Sequence, residues 1–341
     1  MRYAEKFLQS IHEKPYRISQ LQSAYFKELL TSFQDITVFS QDLRNLLEKH
    51  LPFFPLSVFT ESLSSDGTYK IIFQAQDRHK IEAVLMRHHN ERNTVCVSCQ
   101  VGCAVNCSFC STGKLGLKRN LTSDEIMAQI LFFARYLQEK EQQKITNIVF
   151  MGMGEPFHNY DEVMKTVYDL HHQKKFGLGM RHITISTSGI IPYIEKFTAE
   201  DLQVNLAVSL HAPEQGLRER IMPIAKQYLL PDLMKSLDAY TKKTNRRIFY
   251  EYIMLHKVND SEKEAKALAQ LLKNRLSHVN LIPYNPFSLS LSEFSYKASD
   301  EKTMRKFQKI LLEYGIPSTI RVTLGQDIAG ACGQLALQHT L

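Results

Sequence analysis

The residues of this chain best suited to chemistry are its cysteines. There are six, at positions 96, 99, 103, 107, 110 and 332, and five of them fall between 96 and 110. Cys103, Cys107 and Cys110 are separated by three residues and then by two. A closed structural zinc site takes four protein ligands. Three clustered thiolates suit a [4Fe–4S] cluster whose fourth iron stays open to a substrate. Zinc and accidental clustering remain alternatives on spacing alone. Gly152-Met-Gly154-Glu155-Pro156 adds glycines that let a ligand approach the backbone and a carboxylate that accepts from an ammonium or a ribose hydroxyl. A tight turn after a buried strand would use the same residues. Ser186-Thr187-Ser188, Ser209-Leu210-His211 and Asn285-Pro286 contribute hydroxyl, imidazole and amide groups. Taken singly, His211 reads as readily as a satisfied core histidine, and Cys332 as a buried structural thiol.

Groups so far apart in sequence need a scaffold that gathers them. From residue 94, strand-like runs at 94–98, 145–151, 182–186, 204–209, 248–255, 278–284 and 318–323 alternate with helical patterns. Repeated βα units imply a parallel sheet or a (β/α) barrel, full or partial. The polar groups above follow the ends of these strands, where barrels carry their chemistry. Thr122-Ser-Asp-Glu125 reads as a capping box before Ile126, Ile130, Phe133 and Leu137 on one helix face. Ser261 and Glu264 read as a second box. The last helix carries Met304, Phe307, Ile310 and Leu311, and Gly315 and Pro317 stop it. Upstream, residues 1–55 read as a helical module closed by Pro52 and Pro55. Residues 56–92 read as a short β extension with a turn at Asp66-Gly67. The barrel with its C-terminal loop then takes 93–341.

The 341 residues are 44% hydrophobic and 23% charged, a globular mix that excludes wholesale disorder and fibrous structure. No apolar run approaches the roughly 18–20 residues of a membrane span. The charged start, MRYAEKFLQSIHEK, has no apolar signal region, so a cytoplasmic location without membrane contact is expected. The net charge of +7 tolerates a polyanionic partner.

Longer motifs narrow the reading. They are Cys96-Val-Ser-Cys99-Gln-Val-Gly-Cys103, Met151-Gly-Met-Gly-Glu-Pro156, Ser209-Leu-His-Ala212, Asn280-Leu-Ile-Pro-Tyr-Asn-Pro286, and Asp327-Ile328 through Ala331-Cys332-Gly-Gln-Leu335. The Cys-x3-Cys-x2-Cys motif after the first barrel strand resembles the radical S-adenosylmethionine superfamily. The whole set, from about residue 15 to 336, resembles the RlmN/Cfr family of radical S-adenosylmethionine RNA methyltransferases. This implies an α/β fold: a partial (β/α) radical-SAM barrel with an N-terminal helical module, for RNA binding, and a short β extension.

The family methylates adenine at C2 or C8, an electron-poor sp2 carbon that cannot attack a sulfonium methyl as a nucleophile. By resemblance, the cluster on Cys103, Cys107 and Cys110 cleaves S-adenosylmethionine to a 5′-deoxyadenosyl radical. Cys332 carries a methyl from a second S-adenosylmethionine, loses a hydrogen from it to that radical, and joins the base. Cys96 resolves the crosslink by forming a disulfide bond with Cys332, and Glu82 is the proton acceptor. S-adenosylmethionine contacts fall on Gly154, Glu155, Ser186, Ser209, Leu210, His211 and Asn285. The resemblance implies 23S rRNA and, second to it, tRNA as RNA partners. It also implies a low-potential electron donor such as flavodoxin or ferredoxin, and a monomer. Pro156 and the run from Ile282 to Phe287 resemble the C2 branch, which is favoured. Residues 16–20 and the absence of Trp resemble the C8 branch. A radical enzyme acting on another RNA position or on a protein is the more distant alternative, but it would not need Cys332. Cys99 stands where a serine is usual. Leu324-Gly325-Gln326 and Ala329-Gly330 also depart from the family pattern. Basic clusters at Lys114, Lys118 and Arg119, at Lys174 and Lys175, and at Lys242, Lys243, Arg246 and Arg247 are candidate phosphate contacts. The first adjoins the cysteine motif and leads.

Overall fold

Strand formation begins at Leu56, where β-branched and aromatic residues replace the helical pattern. The computed structural model describes residues 1–88, 91–286 and 296–335; Phe287 lies outside them. β1 (Leu56–Leu63), β2 (Tyr69–Ala75) and β3 (Lys80–Arg87) form an antiparallel meander. β4 (Asn93–Cys96) pairs antiparallel with β3 through Val84 and Cys96. β5 (Asn147–Phe150), β6 (Ile183–Thr187), β7 (Asn205–Ser209), β8 (Ile248–Met254), β9 (Ser277–Pro283) and β10 (Ser318–Ile320) follow, all parallel to β4. The sheet has ten strands in chain order. Its two end strands, β1 and β10, do not pair with each other, so among the described residues the barrel is partial, as expected. The boundary drawn at 92/93 falls between two paired strands of one sheet.

Helices cover the outer face: α4 (Ser123–Glu141), α5 (Tyr160–His171), α6 (Ile191–Glu200), α7 (Gln215–Ile221), α8 (Leu230–Thr244), α9 (Glu262–Leu272) and α10 (Glu301–Glu313) follow an N-terminal trio, α1 (Arg2–Ser10), α2 (Tyr16–Phe26) and α3 (Gln41–His50). Strand residues alternate between two environments. Ile148, Phe150, Ile183, Ile185, Leu206, Val208, Tyr250, Tyr252, Val279 and Leu281 are buried in the hydrophobic core. Their alternates, among them Asn147, Thr184, Asn205, Glu251 and Asn280, line the barrel interior. The Thr122–Glu125 capping box forms in both halves. At Ser261 only a simple cap forms: its Oγ accepts from Lys263 N, and Glu264 reaches the Ser261 hydroxyl instead of the backbone. The N-terminal trio buries Leu8, Leu21, Tyr25, Phe33 and Leu47 in the same continuous core. Arg2 Nη2 donates to Asp169 on α5 at 2.9 Å.

Candidate active site

The cysteine loop leaves β4 through a turn that only glycine fits. Gly102 has φ +76°, and a Cβ there would stand 1.8 Å from the Gly116 carbonyl oxygen. Cys103 N donates to that same oxygen at 3.2 Å, Cys110 N to Cys107 O at 3.2 Å, and Ser108 N to Ile221 O at 2.9 Å. The three thiols thereby face one cavity of about 170 Å³, shared with Gly154, Glu155, Ser186, Ser209 and His211. Among the described residues no three His, Cys, Asp or Glu side chains stand close enough to hold a single metal ion. The three thiols stand around a shared void, an arrangement that suits a cluster larger than a single ion. Burial pushes the Cys103 thiol up to about 12 and Cys107 well above its ordinary value, so thiolates form here only against a cation.

Opposite the thiols, Gly154 has φ +104°, and a Cβ there would lie 2.5 Å from Gln100 Cβ. Glu155 is buried, and its carboxylate accepts from Phe157 N at 3.0 Å and Ser188 N at 2.7 Å. Those bonds fix its direction and leave lone pairs for a ligand. His211 Nδ1 accepts from Ile253 N at 3.0 Å, and its ring meets Phe109 edge-on at 4.7 Å. Burial, then the nearby Arg218, pulls it down to about 3, so it is a neutral imidazole. Leu210 is buried in the core and lines neither cavity, so only its backbone can serve a ligand. Sequence reasoning passed over Arg218. It is fully buried, and its Nη2 donates to Ser188 O at 2.6 Å and Ser209 O at 3.3 Å. It places a cation behind Cys107. The only sequence signal was a basic residue on the apolar side of a short helix.

Below this cavity the barrel interior opens into a lumen of about 510 Å³ that contains Cys96 and Asn285. Glu251, Arg321 and Cys332 line both spaces. Glu251 was also missed, although polar residues at alternate positions of buried strands could have flagged it. It is buried, accepts from Asn280 Nδ2 at 2.8 Å, and is pushed up by burial against the opposing effect of Arg321.

Cys332 sits on the segment after β10, which bridges the open side of the barrel. On one side Ser111 N and Oγ donate to Gly333 O at 2.9 and 2.7 Å, Thr112 Oγ1 to Leu335 O at 2.6 Å, and Asn285 Nδ2 to Cys332 O at 3.4 Å. On the other, Ser64 Oγ donates to Asp327 Oδ1 at 2.5 Å and Gly325 N to Asp66 Oδ2 at 2.7 Å. The β extension thus holds one end of the Cys332 segment, and the cysteine loop holds the other. The disulfide bond expected between Cys96 and Cys332 is not present: all six cysteines are free. The fold is therefore held without a disulfide among the described residues. Cys99 is buried, with Sγ 3.7 Å from Met153 O, and lines neither cavity. Glu82 is likewise buried and outside both cavities, 3.6 Å from Lys70 Nζ.

The basic clusters separate by face. Lys114 and Lys118 follow the cysteine loop at the C-terminal ends of the strands. Arg119 belongs to that cluster but is bound to Glu125 and Asp77. Lys174, Lys175 and the residues 242–247 precede β6 and β8, at the opposite ends. Lys175 is also paired with Asp169 at 2.6 Å.

Comparison with known proteins shows the family and the fold. Residues 97–269 match the Radical SAM superfamily. A radical SAM methyltransferase of known structure from Sphaerobacter thermophilus superposes with a TM-score of 0.93 at 42% identity, covering 97% of this chain and 96% of its own. The chain therefore carries a radical SAM fold. Two curated relatives, each named probable dual-specificity RNA methyltransferase RlmN, share most of its length. That of Bacillus licheniformis is 44% identical over 95% of this chain and 88% of its own. That of Lysinibacillus sphaericus is 42% identical over 98% and 87%. The chain belongs to the RlmN family of radical SAM RNA methyltransferases.

Proposed function

We propose that this chain methylates C2 of an adenosine in 23S rRNA and in tRNA through a methylcysteine at Cys332. The observation that carries the reading is the position of Cys332, on the boundary between the cavity of the thiol triplet and the lumen that contains Cys96. Of the thiols outside the triplet, Cys332 alone lines both spaces, where it can meet S-adenosylmethionine on one side and a resolving thiol on the other.

In this reading Cys103, Cys107 and Cys110 hold a [4Fe–4S] cluster, which when bound supplies the electron that cleaves S-adenosylmethionine. Glu155 accepts from the ligand's ammonium with the lone pairs that Phe157 and Ser188 leave open. Ser186, Ser209, His211, Gly154 and the Leu210 backbone line the rest of its site, and Asn285 steadies the Cys332 backbone. Arg218 offsets the negative charge that three thiolates bring. Cys96 attacks the Cys332 sulfur once the base is joined, and Glu82 takes the proton from the ring carbon. The helical module at 1–55 and Lys114 and Lys118 bear on RNA. The β extension at 56–92 and the barrel at 93–341 together hold the reacting thiol. Flavodoxin or ferredoxin serves as electron donor, and the protein acts as a cytoplasmic monomer. No helix of the described residues is long and apolar enough to cross a membrane.

The test is anaerobic reconstitution, incubation with 23S rRNA fragments and tRNA transcripts, and mass spectrometry of the digested nucleosides. 2-Methyladenosine is the expected product. 8-Methyladenosine would move the reaction to the other carbon, and an absence of any ring-methylated adenosine would overturn the proposal.

A further inference from the structure

Lys70 is a buried cation that no step above uses. It stands on β2 opposite Val84, and its neighbour Ile72 stands opposite Glu82 on β3. Lys70 and Glu82 therefore share the sheet face that Val84 and Cys96 present to the lumen. Both side chains are 1% exposed. Lys70 Nζ lies 3.6 Å from Glu82 Oε1 and donates to the Ala329 carbonyl at 3.3 Å. Taking both charges out of water costs several kcal/mol per ion before their attraction offsets it. An apolar pair would fill this space at no such cost, so the pair is unexplained as packing alone. Ala329 lies three positions before Cys332, on the segment that Asp66, Ser64 and Ser65 also hold. One ammonium group thus joins the carboxylate of β3 to the segment carrying the reactive thiol.

We propose that Lys70 is a positioning residue that fixes the Glu82 carboxylate against the Cys332 segment, so that proton acceptor and methylene carrier meet at the same ring carbon. This rests on the reading of Glu82 and Cys332 given above. In the step concerned, the ring carbon bears its own hydrogen and the Cys332 methylene, and the adduct radical has given up one electron to a one-electron acceptor, a role the cluster would fill when bound. The proton passes to Glu82, and the C–H electron pair restores the aromatic ring. The Cys96 thiolate then bonds the Cys332 sulfur. The C–S pair stays with the methylene carbon, which takes up a proton and becomes the methyl group. The Cys96 thiolate and the Cys332 thioether sulfur are together oxidised to a disulfide as that carbon is reduced. With Lys70 removed, the methylene still reaches the base, but the carboxylate is no longer tied to the Cys332 segment, and the adduct persists.

The experiment compares full-length reconstituted Lys70→Met, Lys70→Arg, Glu82→Gln and the double variant Lys70→Met/Glu82→Gln with the unsubstituted protein. Deoxyadenosine release, methylation of Cys332 by peptide mass, RNA adduct on a denaturing gel and methylated product are read together. Lys70→Met is expected to keep the first two, accumulate the adduct as Glu82→Gln does, and lose product at least about tenfold. Lys70→Arg is expected to restore product and clear the adduct. The double variant leaves no lone buried charge, so it reports even if Lys70→Met folds poorly. Its defect is expected to equal that of Glu82→Gln alone, as for two groups acting through one. Unchanged turnover in Lys70→Met, no rescue by arginine, or additive losses in the double variant would overturn the proposal. Full activity without adduct in Glu82→Gln would instead remove the acceptor reading on which it stands.

Discussion

Cys96, Cys99 and Cys332 are three thiols of one chain in three different environments, and the chemistry follows from the difference. Cys332 faces both cavities, Cys96 only the lumen, and Cys99 neither. Burial raises Cys96 up to about 12 and Cys99 well above its ordinary value, and Cys332, though exposed on its segment, is raised in the same direction by the groups that crowd its thiol, so each needs an activating neighbour before it can act. Arg321 lies near Cys96 and Cys332 and opposes that rise in both; Cys99 has no such help. Removal of Cys332 should leave neither methylcysteine nor RNA adduct, whereas Cys96→Ala should trap the protein on RNA through Cys332. Cys99→Ala should leave product formation within about twofold, because a sequestered thiol cannot stand in for the resolving one. A denaturing gel with peptide mass analysis checks all three, and an adduct in Cys332→Ala would contradict the assignment. The thiol spacing was legible in the sequence because metal ligation fixes it locally. The isolation of Cys99 was not, because which face a residue presents after β4 depends on the Gly102 turn and on Met153, more than fifty residues away.

At the scale of elements, the strands were read almost residue by residue, since buried parallel strands with polar residues at their C-terminal ends leave a strong local pattern. β6, expected at 182–186, runs Ile183–Thr187. Legibility failed where an element serves a distant partner. The sequence reads residues 56–92 only as a short β extension with a turn at Asp66-Gly67, yet that turn and Lys70 hold the Cys332 segment from some 260 positions away. The Ser261 box failed for a smaller reason: its hydroxyl offered Glu264 a nearer donor than the backbone did. The cysteine loop is the element most exposed to a single change. Gly102→Ala puts a methyl group 1.8 Å from the Gly116 carbonyl, at a φ that alanine rarely adopts. The clash should cost about 3 kcal/mol locally and open the loop. Iron and sulfide content after reconstitution should fall several-fold while the far-ultraviolet circular dichroism stays that of the parent; undiminished content would show that the turn does not position the thiols.

The whole molecule presents its reactive groups at one end of the barrel, and that asymmetry governs how RNA can approach. Lys114 and Lys118 lie at the site's end, while Lys242, Lys243 and Arg247 lie at the other. Charge counting alone could not separate these clusters; strand direction does. Lys114→Ala/Lys118→Ala should weaken RNA binding and lower the slope of log affinity against log salt by about 1.4, two contacts to single-stranded RNA. Lys242→Ala/Lys243→Ala should change neither, and a titration showing equal losses would mean that RNA wraps the barrel. In the proposed reaction the methyl group passes through Cys332 as a carbon radical instead of moving directly from S-adenosylmethionine to the base. Supplying S-adenosylmethionine with a trideuterated methyl group tests it in one mass spectrum of the product nucleoside. A methyl that loses one hydrogen on Cys332 and regains one from solvent must reach the adenosine with two deuterium atoms, and that is the predicted result; a methyladenosine carrying all three would contradict the account.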